Sequence, residues 1–183
     1  MNYSKGEFLM KKLAMLLALG ASISMCMTGC NIMQDIASEQ QSVDSERQEI
    51  IAQLDDEQFI TGEDRHIANS YMAKFGESDL GDSVEVQMGE LTGTQTFFKF
   101  SLDQKTNVDI EYTLIAEQGT GKLIVVSETE PYVVIGEINE AGKLEDKTTL
   151  ELESGKYSIK LVGNQLKGKT SIFCGVKESK YVQ

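Results

Sequence analysis

Tryptophan is missing from this chain of 183 residues, and there is one histidine and only three cysteines. Each shortage removes a class of chemistry. Without tryptophan, a surface that stacks flat sugar rings on exposed aromatics has to be made from Phe or Tyr. With His66 as the single histidine, a nucleophilic triad has one candidate base. A structural zinc site takes four Cys or His ligands, and the folded part offers His66 and Cys174. Basic residues are also scarce, 17 Lys and Arg against 29 Asp and Glu for a formal net charge of -12. That balance excludes a surface that neutralises nucleic-acid phosphates and one held to anionic lipid by charge. The excess of acid instead keeps the protein soluble and apart from its neighbours. A glycine-rich phosphate cradle is lacking, because Gly119-Thr120-Gly121-Lys122 joins strand-like segments with no helix after it. No EF-hand pattern occurs, which leaves calcium only the oxygen-rich turns at residues 103–107 and at Glu63-Asp64. The sequence therefore predicts no metal site, no cofactor and no catalytic residue.

Long hydrophobic runs are absent too, and the one candidate is informative. Residues 13–30, LAMLLALGASISMCMTGC, follow Lys11 and Lys12 and are interrupted by Ser22, Ser24 and Thr28. A spanning helix needs about 20 mostly apolar residues. A basic start, a short apolar stretch and small residues before a cut are what an export signal requires. Met10-Lys11-Lys12 also reads as a natural start, as an alternative to Met1. Met27-Thr28-Gly29-Cys30 resembles the lipobox of bacterial lipoproteins, with Met27 where that family most often has Leu. The resemblance implies removal of residues 1–29 as a signal peptide and acylation of Cys30. Two acyl chains give lasting attachment where one only visits. The expected location is the extracytoplasmic face of a cell membrane, reached through that lipid anchor. Cys26 leaves with the signal and Cys30 is the lipid site, so Cys174 has no disulfide partner. This leans towards a Gram-positive surface. Cys174 alternates with Ile172 and Val176 and reads as a small buried hydrophobe.

Past Cys30 the chain divides by pattern. Residues 30–44 are rich in Gln, Ser and Glu and read as a tether. Residues 45–80 read as a helical segment. Ser45-Glu46-Arg47-Gln48 fits a capping box before Ile50, Ile51 and Leu54. A second helix is predicted from Thr61 and Asp64 at its start, Ile67, Tyr71, Met72 and Phe75 on one face, and Gly76 at its end. Over residues 81–183 the period becomes 2: Val84, Val86, Met88; Phe98, Phe100, Leu102; Val108, Ile110, Tyr112, Leu114; Tyr157, Ile159, Leu161. Leu123 to Val126 and the stretch after Pro131 are continuously apolar, and Leu150 with Leu152 and Ile172 with Cys174 complete the set. Turns are predicted at residues 117–121, 139–142, 154–155 and 163–164. About eight short strands with no helix between them predict a mostly β protein, an antiparallel β-sandwich or jelly roll preceded by one or two short helices.

The strand segments at residues 98–102, 108–112 and 122–126, and above all Leu152-Glu153-Ser154-Gly155-Lys156-Tyr157-Ser158-Ile159, resemble the pre-peptidase C-terminal type of β-sandwich. Those domains accompany secreted bacterial hydrolases and occur on surface proteins. The resemblance implies an accessory module and carries over no catalytic residue. Glu63, His66 and Ser70 would share one face of the second helix as a relay, or form a solvent-facing stripe opposite Ile67 and Phe75. The pairs Asp109 with Glu111 and Glu151 with Glu153 each share a strand face turned to water. Phe97 stands out of register with Phe98 and Phe100 and is the candidate ligand contact; the alternative places it beneath the helical segment. Tyr132 and Tyr181 have no assigned side. The reading is a membrane-anchored lipoprotein with a non-catalytic β-sandwich that binds or presents something, a glycan or a surface protein. The alternative is an accessory subunit or small hydrolase-like enzyme at the cell surface.

Overall fold

The computed structural model describes residues 39–176 and the backbone of Lys180–Tyr181. The predicted signal peptide, the lipobox Met27-Thr28-Gly29 and Cys30 lie outside the described residues. The described residues fall into two units that divide between Glu46 and Arg47. Helix α1 covers residues 39–51. In the first unit Ser45 donates its hydroxyl to the Gln41 carbonyl at 2.9 Å, a back-bond within the helix instead of the expected N-cap. In the second unit α2, Glu57–Thr61, is capped by Asp56, whose carboxylate accepts from the Gln58 N–H at 2.8 Å.

Seven strands follow: β1 His66–Ser78, β2 Gly81–Leu102, β3 Thr106–Ser127, β4 Val133–Ile138, β5 Gly142–Leu152, β6 Gly155–Cys174 and β7 Lys180–Tyr181. Every pairing is antiparallel. The central order is β2-β6-β3, three strands of 20 to 22 residues. Each serves two layers. Their halves near residues 81–91, 166–174 and 106–116 are flanked by β1 and β5, and their other halves by β7 and β4. Two of the predicted turns, 117–121 and 163–164, are therefore bends inside β3 and β6, and β2 likewise joins the segments at 84–88 and 98–102, so the eight predicted segments become five strands, to which β1 and β7 are added. The bends coincide, since Gly93 faces Gly163 and Thr120 faces Asn164 in the ladders, and register breaks cluster there. Bulges of this kind let one strand turn a corner between layers. Glycine is required at Gly119, whose φ is +77° and where a Cβ would sit 2.2 Å from the Gln165 carbonyl oxygen.

Between the layers lies one apolar core. Val84, Ile110, Leu114 and Ile172 from the first layer meet Phe98, Leu123, Ile159 and Leu161 from the second, all essentially without solvent exposure. Phe100 and Tyr157 stack within it, ring centroids 5.6 Å apart. Burial on this scale is the main stabilising contribution, at about 25 cal/mol per Å² of apolar surface.

Residues 66–78 correct the second predicted helix, and with it the helical segment drawn to residue 80. They form edge strand β1, paired with β2 from His66 opposite Gly93 to Ser78 opposite Gly81. The misreading has a physical cause. Ser70 has φ +49°, a kink that breaks the alternation. Ala68 before it and Ala73 after it both reach the core, five positions apart. A period of 2 with a phase slip imitates the spacing of a helix.

Candidate functional site

The two layers differ in what covers their outer faces. On the second layer, Ile124, Val126 and Val162 are buried beneath Ile50, Leu54 and Ile60, with Ile51, Phe59 and Tyr132 around them. The same cover holds a buried charge. Lys160, 2% exposed, reaches the carbonyl oxygens of Ile60 and Gly62 and forms an ion pair with Asp64 at 3.2 Å. Asp64 in turn accepts from the N–H and the hydroxyl of Thr96, each at 2.8 Å. The connection after α2 is thereby fastened to the sheet by groups that satisfy one another.

Among described residues 47–176 the outer face of the first layer has no such apolar cover, although Arg47 reaches Glu90 of β2 in an ion pair at 3.3 Å. Ladder register and alternation place three rows across its five strands. Gly76, Ser83, Phe173, Glu111 and Lys147 form one row; Lys74, Glu85, Ser171, Thr113 and Glu145 the next; Met72, Gln87, Lys169, Ile115 and Lys143 the third. Phe173 lies between the buried Ile172 and Cys174, so its ring points outwards and remains partly exposed at the centre of its row. Hydroxyls, an amide, carboxylates and amines surround it. Two shallow hollows mark this face. One, about 420 Å³, is bordered by Phe173, Glu111, Thr113, Glu145 and Lys147. The other, about 370 Å³, is bordered by Met72, Lys74, Gln87, Ile115 and Lys169.

Ion pairs order the rim of this face. Lys147 Nζ lies 2.6 Å from Glu111 Oε1 and 3.6 Å from Asp109 Oδ2. The hydrogen bond that Lys147 donates to Glu111 holds its ammonium above the usual range. Thr149 donates to Asp109 Oδ1 at 2.6 Å, and that bond, helped by Lys147, holds the Asp109 carboxyl below its usual range. These charged side chains are about half exposed and are screened by water. A larger hollow of about 690 Å³ lies at the open end of the second layer, bordered by Thr61, Lys99, Ser101, Glu128, Lys156 and Ser158. The aromatic rings beside it, Phe100 and Tyr157, are spent on the core stack.

The sequence-derived candidates fall elsewhere. Phe97 is 1% exposed and belongs to the main core, so it offers no ring to a ligand, and it does not lie in the helix-covered cluster either. Thr96 pairs with Lys160 and Phe98 with Ile159, which makes Phe97 the extra residue of a bulge and turns its ring inwards. Tyr132 packs against the helix-covered cluster. His66 stands at the start of β1 with Nδ1 3.2 Å from the Thr94 carbonyl oxygen, and the helical face that would have joined it to Glu63 and Ser70 does not exist. Glu151 and Glu153 share Lys105, at 2.6 and 3.0 Å. Cys174 is a free, fully buried cysteine whose thiol is pushed up to about 12 by burial. Among the described residues no group of three or more His, Cys, Asp or Glu gathers in a metal-binding arrangement, and no helix is long and apolar enough to cross a membrane. Phe173 was missed because attention to Ile172 and Cys174 as core markers passes over the residue between them.

No family model and no curated protein matches this chain. Solved structures with a distant likeness include a carbohydrate-binding module from Cellvibrio mixtus lichenase 5A in complex with cellotriose. It is 14% identical with a TM-score of 0.35, over 61% of this chain and 91% of that one. A carbohydrate-binding module of the type numbered 35 from Paenibacillus barcinonensis is 12% identical with a TM-score of 0.33, over 63% of this chain and all of that one. The Yersinia pseudotuberculosis-derived mitogen is 14% identical with a TM-score of 0.32, over 62% of this chain and 91% of that one. At scores of this size the ligands and actions of those proteins say nothing about this chain.

Proposed function

We propose that this chain is a lipid-anchored extracytoplasmic protein whose β-sandwich is a non-catalytic module binding a glycan on the open face of the first layer. The observation that carries the reading is the contrast between the two outer faces. One is covered by Ile50, Leu54 and Ile60; the other, among the described residues 47–176, presents Phe173 amid hydroxyl, amide and charged side chains. A sugar presents an apolar C–H face and a rim of hydroxyls, which suits a partly exposed ring surrounded by hydrogen-bonding groups. Ordered ion pairs such as Lys147 with Glu111 hold those groups in place before a ligand arrives. Binding to an array of bacterial and plant glycans, compared between the wild-type chain and Phe173→Ala, tests the module. Specific signals that the substitution removes are the expected result.

The anchor is tested separately. With Cys30→Ala expressed in a Gram-positive host, we expect loss of lipid mass and a shift of the protein out of the membrane fraction. Unchanged membrane attachment would overturn lipidation at Cys30 and leave the binding face untouched.

A further inference from the structure

In a chain with 29 acidic residues against 17 basic ones, an ammonium with no carboxylate beside it stands out. Most lysines among the described residues have such a partner. On the open face Lys143 pairs with Glu145 and Lys147 with Glu111. Among the described residues Lys74 and Lys169 have none, and both border the same hollow of about 370 Å³.

The ladders fix where these two lysines stand. Lys74 of β1 lies opposite Glu85 of β2, and Lys169 of β6 lies opposite Gln87. They therefore flank β2 from either side, on strands about 10 Å apart. Flexible four-carbon stems let both ammoniums lean over the strand between them. Glu85 is the one carboxylate among the described residues bordering the hollow, which leaves its lining a surplus of one positive charge. Phe173 stands four residues from Lys169 along β6, about 13 Å, and alternation puts both on the same face. A ligand that rests on Phe173 and is held by Lys169 is an extended chain.

We infer that this face takes an acidic glycan, with a carboxylate or sulfate group held between Lys74 and Lys169 while a neighbouring sugar rests on Phe173. The inference rests on the glycan reading of the face and narrows it to one ligand class. An anionic group between two ammoniums accepts charge-assisted hydrogen bonds, roughly twice as strong as neutral ones. Lys74 and Lys169 give up no acidic partner to make them, whereas Lys143 and Lys147 would first have to release Glu145 and Glu111. The acidic excess of the whole chain opposes non-specific attraction of polyanions, so binding of an acidic chain depends on these two positions.

Calorimetry on the full chain in mild detergent tests this with polygalacturonate, alginate and dextran sulfate, each beside its carboxyl-reduced or desulfated form. At least one acidic form is expected to bind about tenfold more tightly than its neutral form, with the advantage shrinking as salt rises. Lys74→Ala and Lys169→Ala should each remove about tenfold in affinity for that acidic form and leave Tm unchanged. Lys99→Ala, on the second layer and likewise without an ion pair among the described residues, should bind as wild type. Preference for polygalacturonate or alginate identifies a carboxylate, and preference for dextran sulfate a sulfate. Equal binding of acidic and neutral forms, or binding of neutral forms alone, lost in Phe173→Ala, overturns the acidic class and leaves the glycan reading standing. Equal loss in Lys99→Ala, or equal binding of poly-glutamate, overturns it as indiscriminate attraction of polyanions. Absence of binding by every glycan, acidic or neutral, brings down the glycan reading and this inference with it.

Discussion

Lys160 is the residue on which the helical cover depends. Its ammonium is satisfied by two carbonyl oxygens and by Asp64, so removing one partner strands the others in a buried setting. Lys160→Met is expected to cost about 3 kcal/mol, measured by urea denaturation. Adding Asp64→Asn should recover part of that loss, because the amide keeps a hydrogen bond to Thr96 without an unpaired charge. Nothing in the sequence marks Lys160: it sits between Ile159 and Leu161 and reads as an ordinary water-facing strand residue. Its partners come from residues about a hundred positions away. The aromatics teach the complementary lesson. Phe97 and Phe173 both stand out of phase with buried neighbours, and alternation predicts that both face outwards. A bulge defeats that rule at Phe97 and nothing defeats it at Phe173. The rule was sound; a bulge is set by the partner strand and is invisible in one segment read alone.

At the scale of elements, the corner makes the sandwich. Three long strands bend along one line, and two of the bends carry glycines that sequence reading takes for turns. Gly119 is the sharpest requirement, combining a positive φ with a neighbouring carbonyl in the space a Cβ would fill. Gly119→Ala is expected to destabilise by about 2–3 kcal/mol and to lower Tm by roughly 5–10 °C, read by a thermal melt. A melt unchanged within about 1 °C would contradict the corner at this position. The β architecture was legible because each half-strand keeps its own alternation, from Val84 to Met88 and from Phe98 to Leu102. What joins the halves was not legible, since a glycine-bearing bend and a hairpin turn have the same local composition. Strand β1 failed for a related reason. Its kink at Ser70 shifts the phase, and pairing with β2 overrides the helical spacing of Ile67, Tyr71 and Phe75.

For the molecule as a whole, asymmetry is the feature that bears on function. The helix expected to pack on the sandwich through Ile67, Tyr71, Met72 and Phe75 is strand β1 instead, and the residues that cover one outer face are Ile50, Leu54 and Ile60. The other face keeps a polar surface from which Phe173 points outwards. Composition foretold the shortage of aromatics for sugar stacking, and it could not say that Phe173 would lie on an outer face, because that depends on how the strands pair. The proposed anchor and the proposed face meet here, since a tethered module has use for a bare side turned towards its surroundings. The most direct measurement is titration of a glycan that scores positive on the array, followed by calorimetry, against the wild-type chain, Phe173→Ala and a control substitution on the other layer, Ser101→Ala. The account predicts that Phe173→Ala weakens binding at least tenfold, about 1.4 kcal/mol, with Tm preserved, while Ser101→Ala binds as wild type. Equal affinity in Phe173→Ala, or loss confined to Ser101→Ala, would contradict it.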